Sequence, residues 1–174
     1  MNASLNPNKG NVIRIVIYVV LITVFYLLCM ARGTLGGFWF VTVNAMPFLV
    51  ASIGFFEGPY VGGSLGLYSG LLMSVSSSTV EGAEALVMAL FGIFCGSVAL
   101  MLMRRILPSV LFCGTVFLTA RGIISATYYT MFYSIPFLNV IVSYIEIILV
   151  SLIPGIIGYY LVSSIHRRFS EEND

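Results

Sequence analysis

Charge is the property that this sequence has least of. Charged residues make up 9% of the 174 residues, whereas hydrophobic residues make up 59%. A soluble domain carries about 25% charged residues, because its surface must be hydrated. The composition therefore excludes a soluble globular domain and indicates an integral membrane protein. At about 20 residues per membrane-crossing helix, the chain has room for about six spans and for no separate catalytic domain.

Residues that perform chemistry are also scarce. The only histidine, His166, stands beside two arginines at a predicted helix end, where a cation complements the helix dipole. The cysteines lie in apolar runs without metal-ligand spacing and are predicted to be free thiols. They are Cys29, Cys95 and Cys113. The sequence therefore predicts no enzyme, no metal site and no cofactor, and the net charge of +1 gives no reason to expect nucleic-acid binding.

Six apolar runs separated by turn signals predict six transmembrane helices. They cover residues 12–30, 38–56, 60–76, 81–103, 108–132 and 136–165. The fold class is therefore all-α, a polytopic six-helix bundle in residues 12–169. A polar segment, 1–11, precedes the bundle and an acidic tail, 170–174, follows it. Glu84 falls in the first turn of the fourth helix, where negative charge suits the positive end of the dipole.

Two prolines shape the second and third helices. Pro47 lies inside the second run and predicts a kink near Val43, because proline removes a backbone donor and clashes with the preceding turn. Glu57, Gly58 and Pro59 form a turn signal, since proline suits the first turn of a helix. The sequence therefore predicts a very tight hairpin between these two helices.

Basic residues predict the orientation of the bundle. A cytoplasmic N-terminus places most of the basic side chains inside, and the positive-inside rule favours that arrangement. The inner set is Lys9, Arg14, Arg104, Arg105, Arg167 and Arg168, whereas Arg32 alone falls in an outer loop. With six spans, both termini are then cytoplasmic.

Glycines recur every four residues around the predicted hairpin. They are Gly54, Gly58, Gly62, Gly66 and Gly70, followed in the fourth helix by Gly92 and Gly96. Small residues allow membrane helices to approach closely and gain dispersion contacts. Because Gly54 precedes the turn, only the stripe from Gly58 to Gly70 belongs to the third helix. The stripe predicts close packing of the third helix on the fourth; packing against a helix of another protein is the alternative.

Two charges fall inside predicted spans. Arg121 lies near the middle of the fifth helix and Glu146 a third to half of the way along the sixth. An isolated charge at the bilayer centre costs about 2.5–3.5 kcal/mol on insertion scales. Both residues lie at a similar depth from the intervening turn. They are therefore predicted to form an ion pair facing the bundle interior, with a proton-relay, transport or partner-contact role as the alternative.

The chain resembles the MreD family of bacterial rod-shape-determining membrane proteins, most clearly in residues 46–72, MPFLVASIGFFEGPYVGGSLGLYSGLL. The matching positions are Pro47, Glu57, Gly58, Gly62, Gly66, Gly70, Leu71 and Leu72. The resemblance continues through Glu81-Gly82, Phe91-Gly92, Gly96, Arg104-Arg105 and His166-Arg167-Arg168-Phe169. One position departs from the family, because Ser74 stands where many members carry an aspartate.

The resemblance implies a non-enzymatic scaffold of the cell-elongation machinery in the bacterial plasma membrane. Its implied partners are an MreC-like protein and, with it, MreB, RodA and a transpeptidase. The alternative is a substrate-binding S-component of an energy-coupling-factor vitamin transporter, which the MreD family resembles in plan. Such subunits carry an Ala-x-x-x-Ala docking face on the first helix, and residues 14–31 of this chain, RIVIYVVLITVFYLLCMA, have none.

Overall fold

A computed structural model describes residues 7–30, 45–76, 82–101, 107–133 and 137–171, and every element within these ranges is a helix. The helices are α1 (Pro7–Met30), α2 (Met46–Glu57), α3 (Pro59–Ser76), α4 (Ala83–Met101), α5 (Leu107–Tyr133) and α6 (Phe137–Glu171). Four of them, α1, α4, α5 and α6, are long and apolar enough to cross a membrane. The described part of the chain is therefore all-helical, and its long apolar helices indicate a multi-pass membrane protein.

The two remaining helices, α2 and α3, are not both long enough and apolar enough to count as membrane spans. α2 has 12 residues and is about 18 Å long, which is shorter than the roughly 30 Å hydrocarbon core. α3 has 18 residues, but its sequence is rich in glycine and serine, and it is not among the helices apolar enough to cross a membrane. The six-span plan and the side on which the termini lie therefore stay predictions.

α2 is the centre of the bundle, because its residues from Met46 to Phe56 are all buried. It packs against each of the other helices. The fully buried Phe48 illustrates how it is held. A Cβ added to Gly114 of α5 or to Gly155 of α6 would collide with the Phe48 ring. The two glycines therefore make room for an aromatic ring that α2 places between α5 and α6.

Pro47 starts α2 and does not kink it. The helix begins at Met46, so the proline lies in the first turn, where its missing N–H costs nothing. Residues 38–44 of the predicted run, and with them the kink predicted near Val43, lie outside the described residues.

The outer faces of the long helices are aliphatic. α1 buries Tyr18, Ile22 and Phe25 on one face. Its opposite side exposes large apolar residues, which are Val12, Val16, Val20, Val24, Leu27 and Leu28. Exposed aliphatic faces also occur on α4, α5 and α6. Lipid tails solvate such surfaces, so these exposed aliphatic faces agree with the membrane location that the amino-acid composition indicates.

Candidate functional site

The glycines of α3 lie directly against α4. A Cβ built on Gly62 would stand 2.8 Å from the carbonyl oxygen of Gly92, and one on Gly66 would stand 2.5 Å from that of Met88. One on Gly70 would stand 2.5 Å from the Cα of Ala85. These obstacles are backbone atoms, which cannot rotate away. We call Gly62, Gly66, Gly70 and Gly92 the glycine interface; within it the two helices touch backbone to backbone.

Gly54 belongs beside this interface, although the turn separates it from α3. A Cβ on Gly54 would lie 2.9 Å from the Gly92 carbonyl oxygen and 3.2 Å from the amide nitrogen of Gly96. A Cβ on Gly96 would in turn collide with the backbone of Gly58 and Pro59. α4 therefore packs against both helices of the α2–α3 hairpin. The sequence argument excluded Gly54 from the stripe and so missed its contact with α4.

Gly58 has a different role from the other glycines of the stripe. It is the single non-helical residue between α2 and α3, with φ of +90°, and a Cβ added to it would meet nothing within 4 Å. Its N–H donates to Gly54 O at 3.0 Å, and its carbonyl oxygen accepts from the Gly62 N–H at 3.0 Å. The positive φ, and not close packing of a missing side chain, is what requires glycine here.

Glu57 ends α2 and is the centre of a polar cluster. Its side chain is only 4% exposed. The Nη2 atom of Arg14 lies 2.9 Å from Oε2, and the Tyr18 hydroxyl donates to Oε1 at 2.8 Å. Nδ1 of His166 lies 3.0 Å from the same Oε1. Because a carboxylate oxygen only accepts, this nitrogen carries the hydrogen. We call these four residues the Glu57 cluster.

The Glu57 cluster ties three helices together at one end of the bundle. Arg14 and Tyr18 come from α1, Glu57 from α2 and His166 from α6. The imidazole of His166 also packs on the Phe56 ring, with centroids 5.4 Å apart. The beginning of α1 and the end of α6 therefore lie side by side. The sequence argument gave His166 only a helix-dipole role and gave Glu57 only a turn role, so it missed their contact.

Arg121 pairs with Glu84 and not with Glu146, which corrects the predicted intramembrane pair. An Nη2 hydrogen of Arg121 is donated to Oε1 of Glu84, from α5 to the first turn of α4. The second oxygen of Glu84, Oε2, is buried and accepts no hydrogen bond from any described residue. The prediction compared only consecutive helices, whereas the carboxylate at the right depth belongs to α4.

Glu146 lies on an exposed face of α6. Ser74, the position at which the family resemblance breaks down, donates to the Leu71 carbonyl oxygen of its own helix at 2.8 Å. Neither residue makes a contact between helices that would support a proton relay within the described chain. Polar groups that link helices among the described residues include the Glu57 cluster, the Arg121–Glu84 pair and a 3.0 Å hydrogen bond between the hydroxyls of Thr23 and Tyr68.

The described residues contain no group of three His, Cys, Asp or Glu side chains that could hold a metal ion. The thiols Cys29, Cys95 and Cys113 are free. The polar clusters thus consist of donors and acceptors that pair across helices, with Oε2 of Glu84 left without a donor among the described residues. What this arrangement can do is hold helices in a fixed relative position.

Comparison with models of known families, with curated proteins and with solved structures finds no match for this chain.

Proposed function

We propose that this protein is a non-enzymatic membrane scaffold of the bacterial cell-elongation machinery, located in the plasma membrane with both termini cytoplasmic. It binds an MreC-like membrane protein and helps to organise MreB, RodA and a transpeptidase. The resemblance of residues 46–72 to the MreD signature region suggests these partners. The geometry of the bundle supports the scaffold character independently of that resemblance.

The glycine interface is the observation that carries the proposal. Added Cβ atoms on Gly62 and Gly66 would meet backbone atoms at 2.8 Å or less, so no ligand fits between α3 and α4 along this face. On the other side of α2, the Phe48 ring fills the space between Gly114 and Gly155. A solute carrier needs a chamber in its interior, whereas here helix backbone and the Phe48 ring fill the space at these positions on both sides of α2. The binding surfaces are therefore on the outside of the bundle.

The ionic contacts support the same conclusion. The Glu57 cluster joins α1, α2 and α6, and the Arg121–Glu84 pair joins α4 and α5. Each contact fixes one helix against another and leaves the aliphatic outer faces free for partner helices. A bundle held at both ends in this way presents a constant surface to a partner.

The test is purification of the tagged protein from its own cells in mild detergent, followed by mass spectrometry of accompanying proteins and of small molecules released by denaturation. We expect MreC-like and RodA-like proteins and no released vitamin-sized compound. Recovery of paired ATPases with such a compound would contradict the scaffold proposal and favour the S-component alternative.

Matched surface variants locate the interface in the same experiment. Val20→Trp, Leu90→Trp and Ile157→Trp each enlarge one exposed side chain, on α1, α4 and α6 respectively. We expect all three to retain the thermal stability of the parent and one of them to lose the MreC-like partner. Gly66→Leu is the contrasting variant, because it should lower stability and partner recovery together. Normal accumulation and full partner recovery in Gly66→Leu would count against the glycine interface.

A further inference from the structure

We infer that the C-terminal part of α6 binds the headgroup of an anionic phospholipid. The site is an open hollow of about 440 Å³ on one face of the helix. It is lined by Tyr160, Ser163, Ser164, Arg167 and Arg168. These positions are three or four residues apart and therefore share one side of the helix. Neither the glycine interface nor the Glu57 cluster uses them, so the inference does not depend on the scaffold proposal.

The spacing of charges along α6 places this hollow at the level of lipid headgroups. Arg167 lies about 31 Å from Glu146 along the helix axis at about 1.5 Å per residue. This length matches the roughly 30 Å thickness of the hydrocarbon core. Both residues are exposed, and between them α6 exposes mainly aliphatic side chains. The two charged positions therefore mark the two boundaries of the hydrocarbon, and the hollow lies at one of them.

An apolar path for the acyl chains continues from the hollow toward the bilayer centre. It consists of large aliphatic residues on the same side of α6 as Tyr160 and Arg167. These residues are Leu149, Ile153, Ile156 and Ile157, and all of them are exposed. Tyr160, which is itself 62% exposed, stands between this path and the arginines. Tyrosine side chains are enriched at the boundary between acyl chains and headgroups, because the ring is apolar and its hydroxyl is polar.

The charge of the hollow selects an anion. The ion pairs formed among described residues engage Arg14, Arg121 and His166, and none of them engages Arg167 or Arg168. A guanidinium group binds phosphate through two parallel hydrogen bonds. Ser163 and Ser164 add hydroxyl donors one turn nearer the bilayer centre. A phosphodiester whose headgroup carries a further anionic or hydroxyl group can accept hydrogen bonds from both arginines and both serines. The apolar path beside the hollow favours a phospholipid over free phosphate.

Native mass spectrometry of the detergent-purified full chain tests the site. The probes are phosphatidylglycerol, phosphatidylcholine and inorganic phosphate, each titrated separately. We expect at least tenfold tighter retention of phosphatidylglycerol than of phosphatidylcholine. The double variant Arg167→Gln/Arg168→Gln is expected to lose this preference. Retention of inorganic phosphate as strongly as phosphatidylglycerol would overturn the lipid assignment and identify a small-anion site.

Two control variants separate a site from general electrostatics. Arg104→Gln/Arg105→Gln removes the same charge elsewhere in the chain and is expected to retain the preference for phosphatidylglycerol. Truncation after Phe169 removes Glu171, Glu172 and Asp174 and should strengthen retention, because those carboxylates repel an anionic headgroup. Thermal melting of each variant shows whether it is folded. Equal loss in both arginine double variants, or full retention in Arg167→Gln/Arg168→Gln, would refute the inference.

Discussion

Glu57 and Glu84 are two carboxylates in one apolar bundle, and they differ in the number of polar groups that contact them. Glu57, at the α2–α3 turn, is 4% exposed and contacts Arg14, Tyr18 and His166. Glu84, at the other end of α3 and α4, is 12% exposed and contacts Arg121, while its Oε2 accepts nothing from the described residues. The same bundle thus holds one carboxylate with three polar partners and another with a single described partner.

The difference follows from how many helices reach each acid. Glu57 ends the central helix, so α1 and α6 both bring donors to it. Glu84 begins a peripheral helix, and α5 supplies the donor that reaches it. Several donors make a carboxylate costly to remove, because each donor is left behind in a poorly hydrated place. The comparison therefore predicts an order of mutational effects.

Replacement of the central acid should have the largest effect. We expect Glu57→Ala to lower the free energy of unfolding by about 3–5 kcal/mol, because Arg14 becomes a partly buried charge without this counter-charge. Equilibrium unfolding in mild detergent titrated with sodium dodecyl sulfate measures it. Glu171→Ala is the control for loss of one acid and should change little. A loss below about 1 kcal/mol for Glu57→Ala would show that the cluster is not structural.

Removal of the only described partner of Glu84 should have a smaller effect. We expect Arg121→Ala to cost about 2 kcal/mol, because it removes one charge-assisted hydrogen bond, whereas Glu57→Ala leaves three donors without their acceptor. The same unfolding experiment measures it. If Arg121→Ala were as damaging as Glu57→Ala, the contrast between the two acids would be lost.

A double-mutant cycle identifies the partner of Arg121. Arg121→Ala and Glu84→Ala should be non-additive by more than about 0.5 kcal/mol, because they remove the same contact. Arg121→Ala and Glu146→Ala should be additive within that limit. The reverse result would restore the pair expected from the order of the helices.

Amide substitutions sharpen the comparison with little change in shape. Glu57→Gln turns an acceptor into an NH₂ group that faces donors, so we expect a loss of about 1–3 kcal/mol. Glu84→Gln can keep its carbonyl oxygen toward Arg121, and its NH₂ replaces an oxygen that accepts nothing from the described residues, so a loss of less than about 1 kcal/mol is expected. Both losses are measured by the same unfolding titration. Equal losses would show that the number of donors around each carboxylate does not determine its contribution to stability.

Removal of one donor should be the mildest change within the Glu57 cluster. Tyr18→Phe deletes the 2.8 Å hydrogen bond to Oε1 and leaves the ring in place. We expect a loss of about 1 kcal/mol, because Arg14 and His166 still contact the carboxylate. Tyr26→Phe is the matched control on the same helix. A loss in Tyr18→Phe close to that of Glu57→Ala would mean that the tyrosine, and not the arginine, dominates the cluster.

The positions of most helices could be predicted because each is marked by an apolar run and a turn signal. The described parts of α1 and α3 are helical up to Met30 and Ser76, the residues at which the sequence predicts their ends. α2 was misjudged at its start, since a proline inside an apolar run is compatible both with a kink and with a first turn. Only the path of the preceding chain distinguishes the two.

The candidate site was predictable in depth but not in partnership. Positive-inside reasoning puts Arg14, Glu57 and His166 at the same face, yet the contacts join residues 39 and 109 positions apart. Periodicity reports which residues share a helix face and does not report which helices are neighbours. The same limitation led the sequence argument to choose Glu146 over Glu84, because adjacency in the chain was taken for adjacency in space.

The central position of α2 has a consequence for the order in which this protein is assembled during synthesis. Glu57 enters the membrane region with α2, but His166 is made 109 residues later, and the glycine of α6 that packs on Phe48 is also made late. Until α6 has been inserted, the nascent chain holds an acid and an aromatic ring whose final neighbours do not yet exist. The packing around the α2–α3 hairpin is therefore completed only after α6 has been made and inserted, so α2 waits longest for its neighbours although it lies at the centre of the bundle.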